Sequence, residues 1–361
     1  MPYRILILGG TGFIGSHLAA ELVRLGHEVT LYSRNPDLSF LDKVHPGTSQ
    51  RVRCIKGSIN DSDVLAKALS EAEIVYHNAA ATGVEASAID SAGFVETNIK
   101  GTAVLSSVLR TGQYPVQKII LASSISVYGE GNYFCPGCGI VRPSLRYDSE
   151  RFNRSTNWEP VCPKCGGAIS PSFTPENAER YGESIYAITK KAQEDLMLSL
   201  SHQAGISLVS LRYCTVFGPN QPTTSPYSRF ARQLLEGQAP RVYEDGKQSR
   251  DFIYISDVVN ANIAALSSDV SGFFNIGSGI QTPLIEFLDR LKKSLEQHVS
   301  RSLPSPEITG TLCRGDVRHC YADVSKANAQ LSISGCQDLD SGIEKLASSF
   351  SRLETASGTR P

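Results

Sequence analysis

Tyr186 and Lys190 stand four positions apart in YAITK, so on a helix their side chains share one face. An ammonium beside a phenol favours the phenolate and lowers a pKa that is ordinarily about 10, which makes the tyrosine a usable general base near neutrality. Y-x-x-x-K alone is common by chance. Ser124 gives it a partner, because it ends an apolar strand beginning at Lys118 and the C-terminal ends of parallel strands are where an open sheet holds its ligand.

Two further groups carry chemistry. Gly9, Gly12 and Gly15 stand at G-x-x-G-x-x-G spacing, with Phe13 and Ile14 between the last two, after one short apolar run. Such a turn lets a pyrophosphate approach backbone N–H groups at a helix N-terminus, where the helix dipole favours anions. At the end of the next strand an acid suits the ribose of NAD and an arginine a 2′-phosphate. Ser33 and Arg34 occupy that place, favouring NADP over NAD, with Asp37 still in reach of a ribose. Cys135 and Cys138 in CPGCG, and Cys162 and Cys165 in CPKCG, make two C-x-x-C turns that can direct four thiolates at one ion. With no open coordination position, a structural zinc is expected; iron in the same ligand set and a disulfide pair are the alternatives. A bound zinc supplies on the order of 10 kcal/mol of folding energy to a segment too polar to build its own core.

The elements that must position these residues alternate. A strand at Tyr3–Ile7 leads through the glycine turn into a helix at Phe13–Leu25, closed by Gly26. Strands follow near Val29–Ser33, Val52–Lys56, Ile74–His77 and Lys118–Ser123, with helices at Asp63–Leu69 and Phe94–Leu109, then a helix at Ser184–Leu200 and a strand at Leu208–Tyr213. Strand–helix alternation predicts an α/β chain with a doubly wound parallel sheet. Residues 130–175 lack a period and read as an insertion, so residues 1–129 and 176–212 form the dinucleotide domain. Residues 213–353 form mainly a second, smaller lobe, and 354–361 a flexible tail. The 361 residues, 35 basic against 36 acidic and 41% hydrophobic, describe a globular chain with enough length for a large core. The neutral charge argues against coating nucleic acid. No apolar run is long enough to cross a membrane, and the opening MPYRILILGG is unlike a secretion signal, so a cytoplasmic location is expected.

GGTGFIG at Gly9–Gly15, SSISVYG at Ser123–Gly129 and YAITK at Tyr186–Lys190 resemble the extended short-chain dehydrogenases that epimerise nucleotide sugars, over nearly the whole chain. VYEDGKQSRDFIYISDV at Val242–Val258 and GDVRHCYAD at Gly315–Asp323 are similar to the dTDP-L-rhamnose 4-epimerase group, whose members also carry a CPxCG insertion. The resemblance implies a Rossmann fold, a retained NAD(P) and a homodimer formed through the helices at Phe94–Leu109 and Ser184–Leu200. It assigns Ser124, Tyr186 and Lys190 to the catalytic triad and Asn98 to its supporting asparagine. Ser58, Ile59, Ala79, Ala80 and Asn98 fall on cofactor-binding positions; Ser126, Thr215, Arg250 and Arg318 fall on the substrate side, with Arg250 on the nucleotide pyrophosphate. Related dehydratases and decarboxylases carry carboxylates where Ile125 and Ser126 stand, so a 4-epimerase fits better than an eliminating enzyme. There are departures. Cys313, followed by Arg314, takes the place of an arginine, Thr215 that of an asparagine, Ser58 that of an adenine-contacting aspartate, and Ser33 that of a ribose acid. The rival readings are an NADPH-dependent reductase of a nucleotide 4-keto sugar and a non-catalytic nucleotide-binding protein with a zinc-ribbon interaction surface. Cys54, Cys214, Cys313, Cys320 and Cys336 lack metal spacing and are expected to be ordinary thiols, and His319 beside Cys320 is read as structural.

Overall fold

Apolar residues along the first strand alternate between two faces, and both faces are covered. In the computed structural model, which describes residues 2–144, 146, 157–313, 315–333 and 335–357, strand β1 (Arg4–Leu8) buries Ile5, Leu6, Ile7 and Leu8 together. Burial on both sides is the mark of a parallel sheet flanked by helices. Strands β2 (Glu28–Ser33), β3 (Val52–Lys56), β4 (Ile74–His77), β5 (Lys118–Ser124), β6 (Ser207–Tyr213) and β7 (Gly272–Ile276) join β1 in one sheet of order β7-β6-β5-β4-β1-β2-β3. Every pairing is parallel. Ile5 and Ile7 pack with Leu18 and Leu22 of helix Phe13–Arg24 and with Val258 and Ala261 of helix Ile255–Ser267. Leu6 and Leu8 face Leu65, Leu105, Leu109 and Met197, from three helices on the other side. The order reverses between β1 and β4, the switch point at which such sheets open a ligand crevice.

The expected elements form with shifts of a residue or two, except that the helix expected at Ser184–Leu200 runs on to Ala204, and one changes character. The helix read as Phe94–Leu109 contains a π-helical turn at Val95–Lys100 between Ser91–Phe94 and Gly101–Leu109. The helix at Ile185–Ala204 starts on the Ser184 side chain, which accepts a hydrogen bond from Ala187 N at 3.2 Å.

The second lobe builds on Ser249–Tyr254, parallel to Thr215–Phe217 and His319–Cys320 and antiparallel to Gln281–Pro283. Its centre is aromatic: the rings of Phe252 and Phe287 stack at 4.2 Å, with Phe217 and Tyr227 edge-on against Phe287. From this lobe the chain returns to the large sheet as β7, so the two units are interleaved. Among the described residues the insertion forms a three-stranded ribbon, Tyr133–Cys135 pairing antiparallel with Gly139–Val141 and Ser170–Pro171. Among the described residues its buried apolar cluster is Tyr133, Cys135, Val141 and Cys162. The last helix, Leu339–Ser357, runs beyond Leu353, where the chain was expected to fray. Arg314 and residues 358–361 lie outside the described residues.

Candidate active site

The glycine turn is shaped by close approach. Gly9 has φ +77°, and a Cβ there would meet Ala79 N at 2.9 Å; a Cβ on Gly15 would meet Gly9 O at 2.5 Å. Turn, helix and the Ala79–Ala80 loop after β4 therefore nest only as glycines permit. Gly12 starts the helix with no side-chain cap, and Phe13 and Ile14 form its first turn, so its backbone N–H groups face the crevice. The Ser33 and Thr11 hydroxyls meet at 2.7 Å, and Arg34 is exposed. Ser58 accepts the Tyr32 hydroxyl on its carbonyl at 2.8 Å, and Ile59 is buried behind it. Arg34, Ser58, Asn60 and Ala81, together with Asp90 and Glu96, line a cleft of about 380 Å³. Asn98, brought inward on the π-helical turn, is fully buried. It accepts from Ala81 N at 2.7 Å and donates to Ala81 O and Thr189 Oγ1, tying the cofactor loop to the helix that bears Tyr186.

Ser124 and Tyr186 come together at the C-terminal end of β5, and Lys190 reaches the same strand at Ala122. Burial raises the pKa of the Tyr186 phenol, and the nearby Ser124 hydroxyl lowers it. Spacing predicts an ammonium beside the phenol, but Lys190 is drawn to the sheet floor. Its Nζ donates to Ala122 O and to Gln193 Oε1, each at 2.9 Å, because a buried ammonium needs acceptors that a phenol alone does not supply. Burial pushes the lysine down to about 7, against the pull of Glu194. Gln193 continues to Thr102 Oγ1 at 2.9 Å, which contacts His77 Nε2 at 2.9 Å. Burial, then the Lys190 charge, hold His77 down at about 3, so its imidazole is neutral. Gln193 and Thr189 escaped sequence reading, although both flank Lys190 on its own helix. The Ser126 Oγ is buried without a hydrogen-bond partner among the described residues, next to Ser124.

On the opposite lobe, Arg250 donates from Nη2 to Asp316 Oδ2 at 2.8 Å and from Nη1 to Ser249 O. Burial raises the pKa of the Tyr227 phenol to about 12, against the pull of the Arg250 charge and the nearby Thr215 hydroxyl. Arg318 does not join them. Its side chain is 1% exposed and surrounded by Glu159 at 2.6 Å, Asp245 at 2.7 Å and Glu244 at 2.9 Å, so its guanidinium is committed to the protein rather than to a substrate. Asp316 and Tyr227 gave no spacing signal of their own.

The four paired cysteines come together, their sulfur atoms all within 4.8 Å of one another. Each C-x-x-C turn closes on a glycine in the left-handed region, Gly139 at φ +74° and Gly166 at φ +72°, which explains the residue after each second cysteine.

The chain matches the NAD dependent epimerase/dehydratase family over residues 5–144 and 163–277. It is 30% identical to the dTDP-L-rhamnose 4-epimerase of Burkholderia thailandensis over 95% of this chain and 93% of that protein. It is 28% identical to UDP-glucuronate 4-epimerase 3 of Arabidopsis thaliana over 96% of this chain and 76% of that protein. Among solved structures it resembles the UDP-glucuronic acid 4-epimerase of Bacillus cereus in complex with UDP-glucuronic acid and NAD. The TM-score is 0.77 and the identity 26%, covering 97% of this chain and 99% of that one. The glycine turn, the triad and these relationships together make the chain a member of the NAD dependent epimerase/dehydratase family.

Proposed function

We propose that the protein is a nucleotide-sugar 4-epimerase, inverting C4 through a transient 4-keto sugar with a retained NAD(P). The observation that carries this reading is the approach of Ser124 and Tyr186 at the end of β5, with Lys190 anchored on Ala122 of the same strand, at the same end of the sheet as the close-packed glycine turn after β1. Gly9, Gly12, Phe13, Ile14 and Gly15 hold the pyrophosphate, Ser58, Ile59, Ala79 and Ala80 the adenosine half, and Lys190 the nicotinamide ribose. Bound there, the dinucleotide supplies reversible hydride acceptance. Tyr186 takes the proton from the sugar hydroxyl and returns it to the same oxygen after the ketose turns over. Ser124 hydrogen-bonds that oxygen, and the unpartnered Ser126 hydroxyl offers the sugar a further contact. Arg250 holds the substrate pyrophosphate beside Thr215, its guanidinium fork matching phosphate oxygens. Exposed Arg34 and the Ser33 hydroxyl favour a 2′-phosphate and hence NADP.

The cysteine cluster is read as a structural zinc site. Zn–S bonds of about 2.3 Å in a tetrahedron separate sulfurs by about 3.8 Å, and Cys135 and Cys165 stand 3.6 Å apart. The enzyme is read as a homodimer through the helices at Phe94–Leu109 and Ser184–Leu200, which bear Val95 and Ile188, each 45% exposed.

The test is to denature the purified protein, identify the released dinucleotide by mass spectrometry, and follow UDP- and dTDP-sugars by NMR. A 4-epimer formed with no net cofactor consumption is the expected result. One NADPH oxidised per turnover would make it a 4-keto reductase, and neither outcome with any sugar would leave a binding protein.

A further inference from the structure

Arg250 owes its orientation to a segment that the ribbon holds. Beyond its bond to Asp316, its Nη1 donates to Ser249 O at 2.8 Å and Arg318 O at 3.3 Å. Ser249 and Arg250 lie in register with His319 and Cys320, and Ser249 N donates to Arg318 O. Residues 316–319 therefore supply two of the three acceptors that aim the guanidinium. Those residues are gripped from the insertion. At its root, buried Glu130 accepts Arg318 N at 2.8 Å and His319 N at 3.3 Å. Within it, Glu159, three residues before Cys162, spans both side chains. Its Oε1 accepts from Arg318 Nε and Nη2 at 2.9 and 2.6 Å, and its Oε2 meets His319 Nε2 at 2.8 Å. His319 Nδ1 then contacts Ser249 Oγ at 2.6 Å, one residue from Arg250.

We propose that Glu159 is a positioning residue for Arg250, through which the cysteine-bound ribbon sets the affinity for the nucleotide diphosphate. The ribbon then acts on the far side of the site from the triad, through a chain of charge-assisted bonds rather than by touching the sugar. This rests on the reading of Arg250 as the pyrophosphate arginine. The Glu159 side chain is 40% exposed, so its removal does not leave a sealed void, whereas removing Arg318 would take a charged partner from three acids at once.

The experiment is a cycle of Glu159→Ala, Arg250→Ala and the double variant in the full-length, metal-loaded protein, reading the Kd for UDP and for dTDP by calorimetry, with KM, kcat and bound metal alongside. Glu159→Ala should weaken the diphosphate by about tenfold and raise KM in parallel, as loss of remote positioning does. The kcat and metal content should hold. Glu159→Gln, which keeps one acceptor, should recover part of the loss. In the Arg250→Ala background, Glu159→Ala should have no further effect. Full additivity, an unchanged Kd in Glu159→Ala, or a fall in kcat alone overturns the proposal. If Arg250→Ala binds both diphosphates as the parent does, the assignment of Arg250 itself falls, and the clamp with it.

Discussion

Burial lifts the Tyr186 phenol above its ordinary pKa, and the Ser124 hydroxyl pulls it back. A base must be deprotonated to act, so kcat/KM should rise with pH along an acid limb set by this tyrosine. Ser124→Ala removes the hydroxyl that favours the phenolate, and should move that limb to higher pH as well as lowering kcat; a limb that stays in place would separate Ser124 from the tuning of Tyr186. Tyr186→Phe should cost roughly 10²–10⁴ in kcat while leaving dinucleotide binding intact, and retained turnover would remove the phenol from the chemistry. These residues were legible in the sequence because a helix converts a spacing of four into a shared face and a strand end supplies the third group. Arg318 was not. It stands near Arg250 in space, but the acids that consume it come from positions 159, 244 and 245, which no local pattern connects. Lys190 was half legible: its place was right, and its contacts with Ala122 and Gln193 depend on what else is buried around it.

Among the elements, the strands and the two C-x-x-C turns could be read because each obeys a short rule, a run of apolar residues or a pair of thiols followed by glycine. The π-helical turn at Val95–Lys100 could not, since apolar periodicity from 94 to 109 reads as ordinary helix. Asn98 explains it: the extra residue in the turn lets its amide reach Ala81 and Thr189 together. The ribbon makes a separate prediction. Its apolar cluster is small, and a structural metal supplies on the order of 10 kcal/mol where little else does. Chelation under reducing conditions should open the ribbon to protease between Cys135 and Cys165 and lower the Tm, with zinc released in proportion. Unchanged proteolysis and Tm after complete metal loss would mean the strands hold themselves.

At the scale of the whole molecule, the large sheet, its switch point and the interleaved second lobe follow from the alternation of elements, while the return of the chain as β7 was hidden inside a stretch that read as the smaller lobe. The exposed Val95 and Ile188 bear on assembly. If the proposed dimer forms through this face, Ile188→Glu should yield a monomer in size-exclusion chromatography with light scattering, and a parent protein already monomeric would dissociate that face from self-association. The placement of the ribbon also bears on how the site forms. Ser124 and Tyr186 are 62 positions apart in sequence, and the four cysteines that the proposed zinc would cross-link lie between them. Shortening that path by about half saves only about 0.6 kcal/mol of loop-closure entropy. A tether of that strength scarcely changes the likelihood that serine and tyrosine find each other, so a ribbon stripped of metal should still refold a competent triad. What it would lose is the hold of Glu159 on Arg318 and His319, and with it, on the proposal above, the aim of Arg250.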